Sequence, residues 1–175
     1  MPLPATQAYT CKPRQMTTTT TTSRPQRYYE DLQVGQKFRT PSIQMTAEAI
    51  KAFAAQFDPQ PFHLDEAAAQ SSLFKGLAAS GWHTAAVVMR LLVESDLNLV
   101  GGTIGGGVAE LRWPRPVRPG DVLRVEGEIV EMRRSRTRPE LGIVTVRLTA
   151  LNQADEPVQI SMPALMVPTR HPSTS

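Results

Sequence analysis

The sequence contains a single cysteine, Cys11, and only three histidines among its 175 residues. One cysteine cannot form a disulfide within the chain, and this scarcity is typical of a reducing compartment. So few ligands nearly exclude a zinc site built from cysteine and histidine, and no spacing of carboxylates suggests a site for another metal. We therefore predict a cytoplasmic protein that needs no metal or cofactor.

Long apolar runs are also missing. The longest, Thr84–Val93, is interrupted by Arg90, whereas a membrane-spanning helix needs roughly 20 apolar residues. A secretory signal needs an apolar stretch of about 7–15 residues, and residues 1–27 contain none. We therefore expect a globular protein that does not span a membrane.

Acidic residues are absent from the first 29 positions. That stretch holds four basic residues: Lys12, Arg14, Arg24 and Arg27. This stretch has a charge of +4, and because the whole chain has a net charge of +3, the remaining residues sum to −1. A basic tail on a nearly neutral domain disfavours nucleic acid as a partner. A run of six threonines and scattered prolines predicts that residues 1–27 are a disordered tail. Its basic, threonine-rich composition leaves an organelle transit peptide as an alternative.

One domain is predicted over residues 28–168, followed by a flexible end at 169–175. Two short extended pieces broken at Pro41 precede a helix that Thr46 can cap. That helix ends at Asp58, because a residue before proline is driven out of the helical region. Its apolar residues recur at helical spacing: Ile50, Phe53, Ala54 and Phe57.

A second long helix is predicted from Trp82 to Leu97, after a short helix capped by Asp65. It is apolar on nearly every side, which is typical of a helix buried in a core. Four long segments with strand-like character follow: Gly105–Trp113, Val122–Met132, Leu141–Asn152 and Pro157–Val167. This order predicts an α+β fold in which an antiparallel sheet wraps around a long buried helix.

The segment FDPQPFH, Phe57–His63, places a carboxylate and an imidazole five residues apart, with two prolines between them. Each proline fixes its own φ angle and extends the residue before it. We therefore predict a stiff strut that prepositions Asp58 and His63 for acid/base chemistry. The alternative is an ordinary turn, since aspartate before proline is common there.

Gly81 follows Ser80 at the start of the second long helix. A helix N-terminus presents unpaired N–H groups and partial positive charge, and glycine lets a ligand approach the backbone closely. A substrate carbonyl bound there would lie in an oxyanion site. The alternative is a plain helix cap by Ser80 with a glycine kept for packing.

Two further features leave their roles open. His83 lies in the first turn of the same helix. It either faces the site or is an ordinary histidine that packs in the core or faces solvent. The linker 133–140 holds four arginines, which either contact the phosphates of a ligand or are simply solvated. They are Arg133, Arg134, Arg136 and Arg138.

Taken together, these residues resemble a known family. The sequence DPQPFHLD, Asp58–Asp65, resembles the hydratase motif of the MaoC-like dehydratases and (R)-specific enoyl-CoA hydratases. Phe74 and the segment Ser80–His83 look like that family's approach to its central helix, and Arg115–Asp121 is similar to its turn between the first two long strands. The resemblance covers residues 28–168 and implies a single hotdog domain. It also implies a homodimer or larger homo-oligomer, with an acyl-CoA tunnel near the subunit interface.

The resemblance further implies a hydro-lyase that adds water to an acyl-thioester or removes it. Asp58 and His63 would hold the water, one activating it for attack on Cβ and the other exchanging the proton at Cα. The Gly81 N–H would polarise the thioester carbonyl, and coenzyme A is then part of the substrate. The substrate-binding residues implied are Gln60, Phe62, Ser80 and Trp82.

The sequence departs from the family pattern at three places. Gln60 stands where the family often has asparagine, Ser80 where it commonly has histidine, and Met89 lies near a position that carries serine in some hydratases. Two other functions stay open: a hotdog thioesterase, in which a carboxylate activates water against the thioester carbonyl, and a non-catalytic acyl-CoA-binding module. The retained pair of Asp58 and His63 favours the hydro-lyase.

Overall fold

The computed structural model describes residues 25–171. This described part contains a 3₁₀ turn at Tyr29–Asp31, followed by four helices and six strands. The helices are α1 (Ala47–Phe57), α2 (Pro61–Leu64), α3 (Glu66–Ser71) and α4 (Gly81–Val93). The strands are β1 (Lys37–Arg39), β2 (Ile43–Gln44), β3 (Ile104–Arg112), β4 (Val122–Arg134), β5 (Leu141–Leu151) and β6 (Pro157–Pro168).

The strands form one antiparallel sheet in the order β1-β4-β5-β6-β3, and β2 also pairs with β4. This confirms the α+β fold, and each long strand begins and ends within two residues of its predicted position. The prediction succeeds because the alternation of buried and exposed side chains is local, as the burial along β5 shows. β3 lies at an edge of the sheet.

Helix α4 packs on the inner face of the sheet and supplies the centre of the hydrophobic core. Its buried Val88, Leu91 and Leu92 belong to one cluster with strand residues such as Val125 and Val146. The predicted burial of this helix in the core is confirmed for the face that packs on the sheet. A helix on a sheet buries only one face, and the opposite face leaves three large apolar side chains exposed: Trp82 (62%), Met89 (43%) and Val93 (56%).

Helix α4 also ends earlier than predicted, at Val93 instead of Leu97. The Ser95 N–H donates to the Leu92 carbonyl (3.2 Å), and the Ser95 hydroxyl accepts from the Leu97 N–H (3.2 Å). A serine that offers its side chain to a nearby backbone N–H competes with the helix in this way.

Helix α1 starts and stops where the sequence predicts. The Thr46 hydroxyl accepts a hydrogen bond from the Ala49 N–H (3.1 Å), which caps the helix. Asp58 leaves the helical region with φ −152° and ψ 67°. Phe57, the last residue of the predicted apolar stripe, is 68% exposed. The stripe is therefore not buried at this position, where the helix ends.

The folded part begins earlier than the predicted boundary at residue 28. The Arg27 N–H donates to the Asn98 carbonyl (2.9 Å), and the Arg27 carbonyl accepts from the Val100 N–H (3.0 Å). The remainder of the predicted disordered tail, residues 1–24, lies outside the described residues.

The flexible end predicted at 169–175 is wrong for its first two residues. The Thr169 N–H donates to the Glu140 carbonyl (2.9 Å), and the Arg170 guanidinium makes two hydrogen bonds to the Asp31 carboxylate (2.6 and 2.8 Å). Arg170 also lies over the Tyr28 ring, 4.7 Å from its centroid. A bidentate pair of this kind fixes the chain end against its beginning; residues 172–175 lie outside the described part.

Between residues 25 and 171, no helix combines the length and apolar character needed to cross a membrane. Within the same stretch, no three side chains of histidine, cysteine, aspartate or glutamate converge as a group able to hold a metal ion.

Candidate active site

The structure brings Asp58 and His63 together at the start of α4. His63 Nε2 lies 3.4 Å from Asp58 Oδ2, and the two side chains are 5% and 19% exposed. Gln60 is extended (ψ 142°), as predicted for a residue before proline. Pro61 then begins α2, because a proline in the first turn of a helix has the required φ and lacks only an N–H that would be unpaired there.

The His63 ring is oriented by a backbone carbonyl. Nδ1 lies 2.7 Å from the Ala78 oxygen, and since a carbonyl can only accept, this hydrogen bond assigns a proton to Nδ1. In the neutral ring, the lone pair is then on Nε2, which faces Asp58. Edge-to-face packing with Phe62, at 4.6 Å between ring centroids, supports the same orientation.

The Asp58 carboxylate receives hydrogen bonds from two neutral donors. The Ser80 hydroxyl lowers the pKa of Asp58 below its ordinary value of 3.8; Gln60 and His63 lower it further, while partial burial acts in the opposite direction. Gln60 Nε2 lies 2.7 Å from Asp58 Oδ1. Asp58 is therefore an anion at neutral pH, and the structure places Gln60 and Ser80, both predicted to bind substrate, on this carboxylate.

Ser80 and Gly81 form the N-terminus of α4. The Ser80 hydroxyl accepts from the Trp82 N–H (3.2 Å), so Ser80 caps the helix as the alternative interpretation proposed. The Gly81 N–H has no hydrogen-bond acceptor among the described residues, and Gly81 lines a cavity. The cap by Ser80 is therefore compatible with the predicted oxyanion site, since it leaves one helical N–H available to a ligand.

Trp113 covers Gly81 and was not singled out in the sequence. A Cβ atom on residue 81 would lie 2.8 Å from Trp113 Cε2 and 2.9 Å from Cδ2. The indole is held there by a hydrogen bond from Nε1 to Oε1 of the buried Gln159 (3.0 Å). It also packs edge to face on Trp82 at 5.7 Å. The only signal for Trp113 in the sequence is its place two residues before Arg115–Asp121, the turn that carries the family resemblance.

The acid/base pair opens on a cavity of about 420 Å³. Its wall is mostly apolar beyond the pair, and it includes Phe62 and Trp82, both predicted to bind substrate. Met89 is not among the residues that line this cavity. The cavity is lined by Asp58, Gln60, Phe62, His63, Phe74, Ala79, Gly81, Trp82, Thr84, Trp113, Pro114, Arg115, Pro116 and Val117.

His83 does not line this cavity. It is buried and stacks on Phe53 at 4.7 Å with an interplanar angle of 7°. Burial lowers the pKa of His83 below 6.5, and in residues 25–171 its buried Nδ1 has no hydrogen-bond partner. His83 is therefore a neutral, packed residue.

None of the four arginines predicted in the linker 133–140 lines the cavity beside the pair. Arg133 and Arg134 are the last two residues of β4, and Arg136 and Arg138 lie in the turn that follows, so the predicted linker begins two residues too early. Arg134 bonds to Glu30 (2.9 Å). Arg133 and Arg136 line a separate cavity of about 510 Å³. This second cavity shares no lining residue with the cavity beside Asp58.

A long helix wrapped by one antiparallel sheet is the hotdog fold. The model of the MaoC-like domain matches residues 31–152. The chain therefore belongs to the MaoC-like domain family, a family of dehydratases and hydratases.

Relatives and solved structures agree with this assignment. The chain is 33% identical over 129 residues to YdeM, an uncharacterised protein of Bacillus subtilis, covering 72% of this chain and 88% of the relative. It is similar to the crystal structure of a MaoC-like dehydratase from Rhodospirillum rubrum (TM-score 0.79, 54% identity, 82% and 98% coverage). It also resembles the (R)-hydratase PhaJ1 of Pseudomonas aeruginosa (TM-score 0.66, 30% identity, 85% and 95% coverage).

Proposed function

We propose that the protein is a hydro-lyase that adds water across the double bond of an enoyl-CoA thioester, or removes it from the 3-hydroxyacyl thioester. The observation that carries the proposal is the 3.4 Å approach of His63 Nε2 to Asp58 Oδ2, at a cavity that Gly81 also lines. The likeness to an (R)-hydratase supports the same reaction. The single cysteine favours a cytoplasmic setting.

The pair is arranged to hold one water molecule. A water oxygen can lie within about 2.6–3.2 Å of both Asp58 Oδ2 and His63 Nε2, and it then donates one hydrogen bond to each. His63 is the better base of the two, because Ser80 and Gln60 already donate to the Asp58 carboxylate and keep its pKa low. Asp58 remains an anion and stabilises the imidazolium that forms.

The reaction needs no further proton source. His63 Nε2 takes a proton as the water oxygen bonds to Cβ, and the double-bond electrons move onto the thioester oxygen as an enolate. The Gly81 N–H donates to this oxygen where the negative charge develops. The imidazolium then returns the proton to Cα, so that one hydroxyl and one hydrogen have been added, and dehydration is the reverse sequence.

The substrate handle in this proposal is coenzyme A. A volume of about 420 Å³ lies in the usual range for small-molecule sites, and the apolar walls formed by Phe62, Phe74 and Trp113 suit an acyl group. Coenzyme A enters as part of the substrate, so the mechanism uses only groups of the protein and the thioester.

A second copy of this chain is the proposed partner. Trp82, Ala86, Met89 and Val93 recur along the exposed face of α4 at helical spacing. Val108, 57% exposed, lies on edge strand β3. An apolar helix face beside an open sheet edge favours pairing with an identical surface. Because Trp82 also lines the cavity, the interface and the site adjoin, and larger assemblies can build on such a dimer.

The test is to add a short enoyl-CoA and follow loss of the enoyl-thioester absorbance in parallel with release of free thiol. We expect hydration by the wild type, no hydration by Asp58→Asn and strongly reduced hydration by His63→Ala. His171→Ala is the matched control, since His171 is exposed and bonds through its carbonyl oxygen to Arg134 (2.8 Å).

Each alternative function gives a different result. Thiol release without hydration would establish a thioesterase, and tight binding of acyl-CoA without either reaction would establish a binding module. Hydration that survives both substitutions would remove the pair from the mechanism.

A further inference from the structure

Arg118 lies in the turn between β3 and β4. Its guanidinium donates hydrogen bonds to the neighbouring loop that leads into α4 and contains residues 74–77. Nη1 donates to the carbonyl oxygens of Gly76 (2.7 Å) and Leu77 (3.2 Å), and Nη2 donates to that of Phe74. In the described part of the chain, no carboxylate forms an ion pair with this guanidinium. All of its observed bonds are therefore made to backbone carbonyls.

Arg118 is itself held in place by its turn. The Arg118 N–H donates to Asp121 Oδ2 (2.7 Å), and the Asp121 N–H donates back to the Arg118 carbonyl (3.1 Å). In the turn of residues 118–121, the third residue is Gly120, with φ +92°. A type II turn requires a positive φ at this position, which glycine adopts readily. The adjacent Val117 carbonyl accepts from the Ala79 N–H (2.9 Å), so the turn bonds the loop at two successive residues.

This loop leads directly into Ala78, Ser80 and Gly81, the three residues that organise the site. The Ala78 carbonyl accepts from His63 Nδ1 (2.7 Å), the Ser80 hydroxyl donates to Asp58, and Gly81 lines the cavity. One continuous backbone segment, 74–81, thus sets the positions of the base, the anion and the proposed oxyanion donor.

We propose that Arg118 is a positioning residue for the hydration reaction: it does not touch the reacting atoms but holds the segment 74–81 so that His63, Asp58 and the Gly81 N–H share one geometry. The planar guanidinium is suited to this because it directs several donors in fixed directions, whereas a lysine ammonium is a single point of charge. This inference rests on the proposed function for its kinetic readout.

The first experiment compares hydration by Arg118→Ala, Arg118→Lys and the control Arg124→Ala. Arg124 also donates to a backbone carbonyl, that of Asn152 (3.2 Å), and pairs with Asp155 (2.6 Å), but it has no contact with the segment 74–81. We expect kcat to fall about 10- to 100-fold in both Arg118 variants, as a displacement of about 1 Å does in other enzymes, with KM changed far less. Methylguanidinium at millimolar concentration should restore part of kcat in Arg118→Ala, while Arg124→Ala keeps the wild-type rate.

A second readout does not depend on activity. In protein labelled with ¹⁵N-histidine, His63 should show a protonated Nδ1 in the wild type and in Arg124→Ala, and this signal should broaden or shift in both Arg118 variants. Wild-type kcat and an unchanged His63 signal in Arg118→Lys would overturn the inference, and this variant decides the matter if Arg118→Ala does not fold. A wild type without hydratase activity would refute the proposed function, yet the His63 signal would still test whether Arg118 positions the segment.

Discussion

The indole ring of Trp113 occupies the space that a side chain on residue 81 would need. A Cβ atom there would lie 2.8 Å from Trp113 Cε2, closer than carbon atoms approach without displacement. The ring cannot move freely, because Nε1 is bonded to Gln159. Glycine at this position therefore both exposes an N–H to the cavity and accommodates the tryptophan.

We predict that Gly81→Ala lowers kcat/KM for hydration by at least about 10-fold, since one misplaced oxyanion donor costs about 2.7–4 kcal/mol in other enzymes. The double variant Gly81→Ala/Trp113→Phe should recover stability in urea unfolding, because the smaller ring relieves the overlap. If Gly81→Ala were as active and stable as the wild type, Trp113 would not constrain this position.

Ser80 should control the pH at which Asp58 loses its charge. Its hydroxyl is the main group that lowers the pKa of Asp58, so in Ser80→Ala that pKa rises, and NMR titration of the Asp58 carboxyl carbon should show the rise directly. Ser80→Thr keeps a hydroxyl and should keep the wild-type titration of Asp58. Thr46→Ala is the control, because it removes a helix cap worth about 1 kcal/mol but no donor to Asp58. An unchanged Asp58 titration in Ser80→Ala would exclude this role.

His83 should make the fold less stable in mild acid. Its pKa is below 6.5 in the folded state because of burial, whereas the unfolded chain takes up the proton near pH 6.5. The unfolded state then binds more protons, so stability is complete above pH 6.5 and is lost as pH falls through the folded-state pKa. Urea unfolding at pH 8 and pH 5.5 should show a smaller loss in His83→Phe, which retains stacking on Phe53. Equal losses in the two proteins would contradict this.

The exposed face of α4 should determine the oligomeric state. Met89→Glu places a charge in the middle of the apolar stripe, and we expect it to convert a dimer to a monomer in size-exclusion chromatography with light scattering. Hydration should fall with it, because Trp82 belongs to both the stripe and the cavity wall. Ala55→Glu, which adds the same charge to an exposed residue of α1, should stay dimeric. A monomeric wild type, or a dimer unaffected by Met89→Glu, would refute this interface.

Features that depend on neighbouring residues could be predicted from the sequence. The cap at Thr46, the end of α1 before Pro59 and the four long strands each follow from a local pattern, and each is observed. The closeness of Asp58 and His63 was also expected, although the helical turn that begins at Pro61 was not. Pro61 is compatible both with an extended segment and with the first turn of a helix, and the sequence does not choose between them.

Features that depend on packing could not be predicted. Trp113 meets Gly81, and Gln159 holds Trp113, across 32 and 46 positions of the chain, so no spacing rule connects them. The roles of Gln60 and Ser80 depend in the same way on where the Asp58 carboxylate points. The exposed face of α4 was missed because an apolar sequence does not distinguish burial in a core from a face left for a partner.

The contact between Arg170 and Asp31 brings the first and last parts of the described chain next to each other. The two residues are 139 positions apart and are joined by two side-chain hydrogen bonds. A short peptide that linked Tyr28 to Arg170 would therefore make the backbone circular. The same contacts could then be encoded by a gene that starts elsewhere in the domain, so the order of the elements along the chain is one of several that this architecture permits.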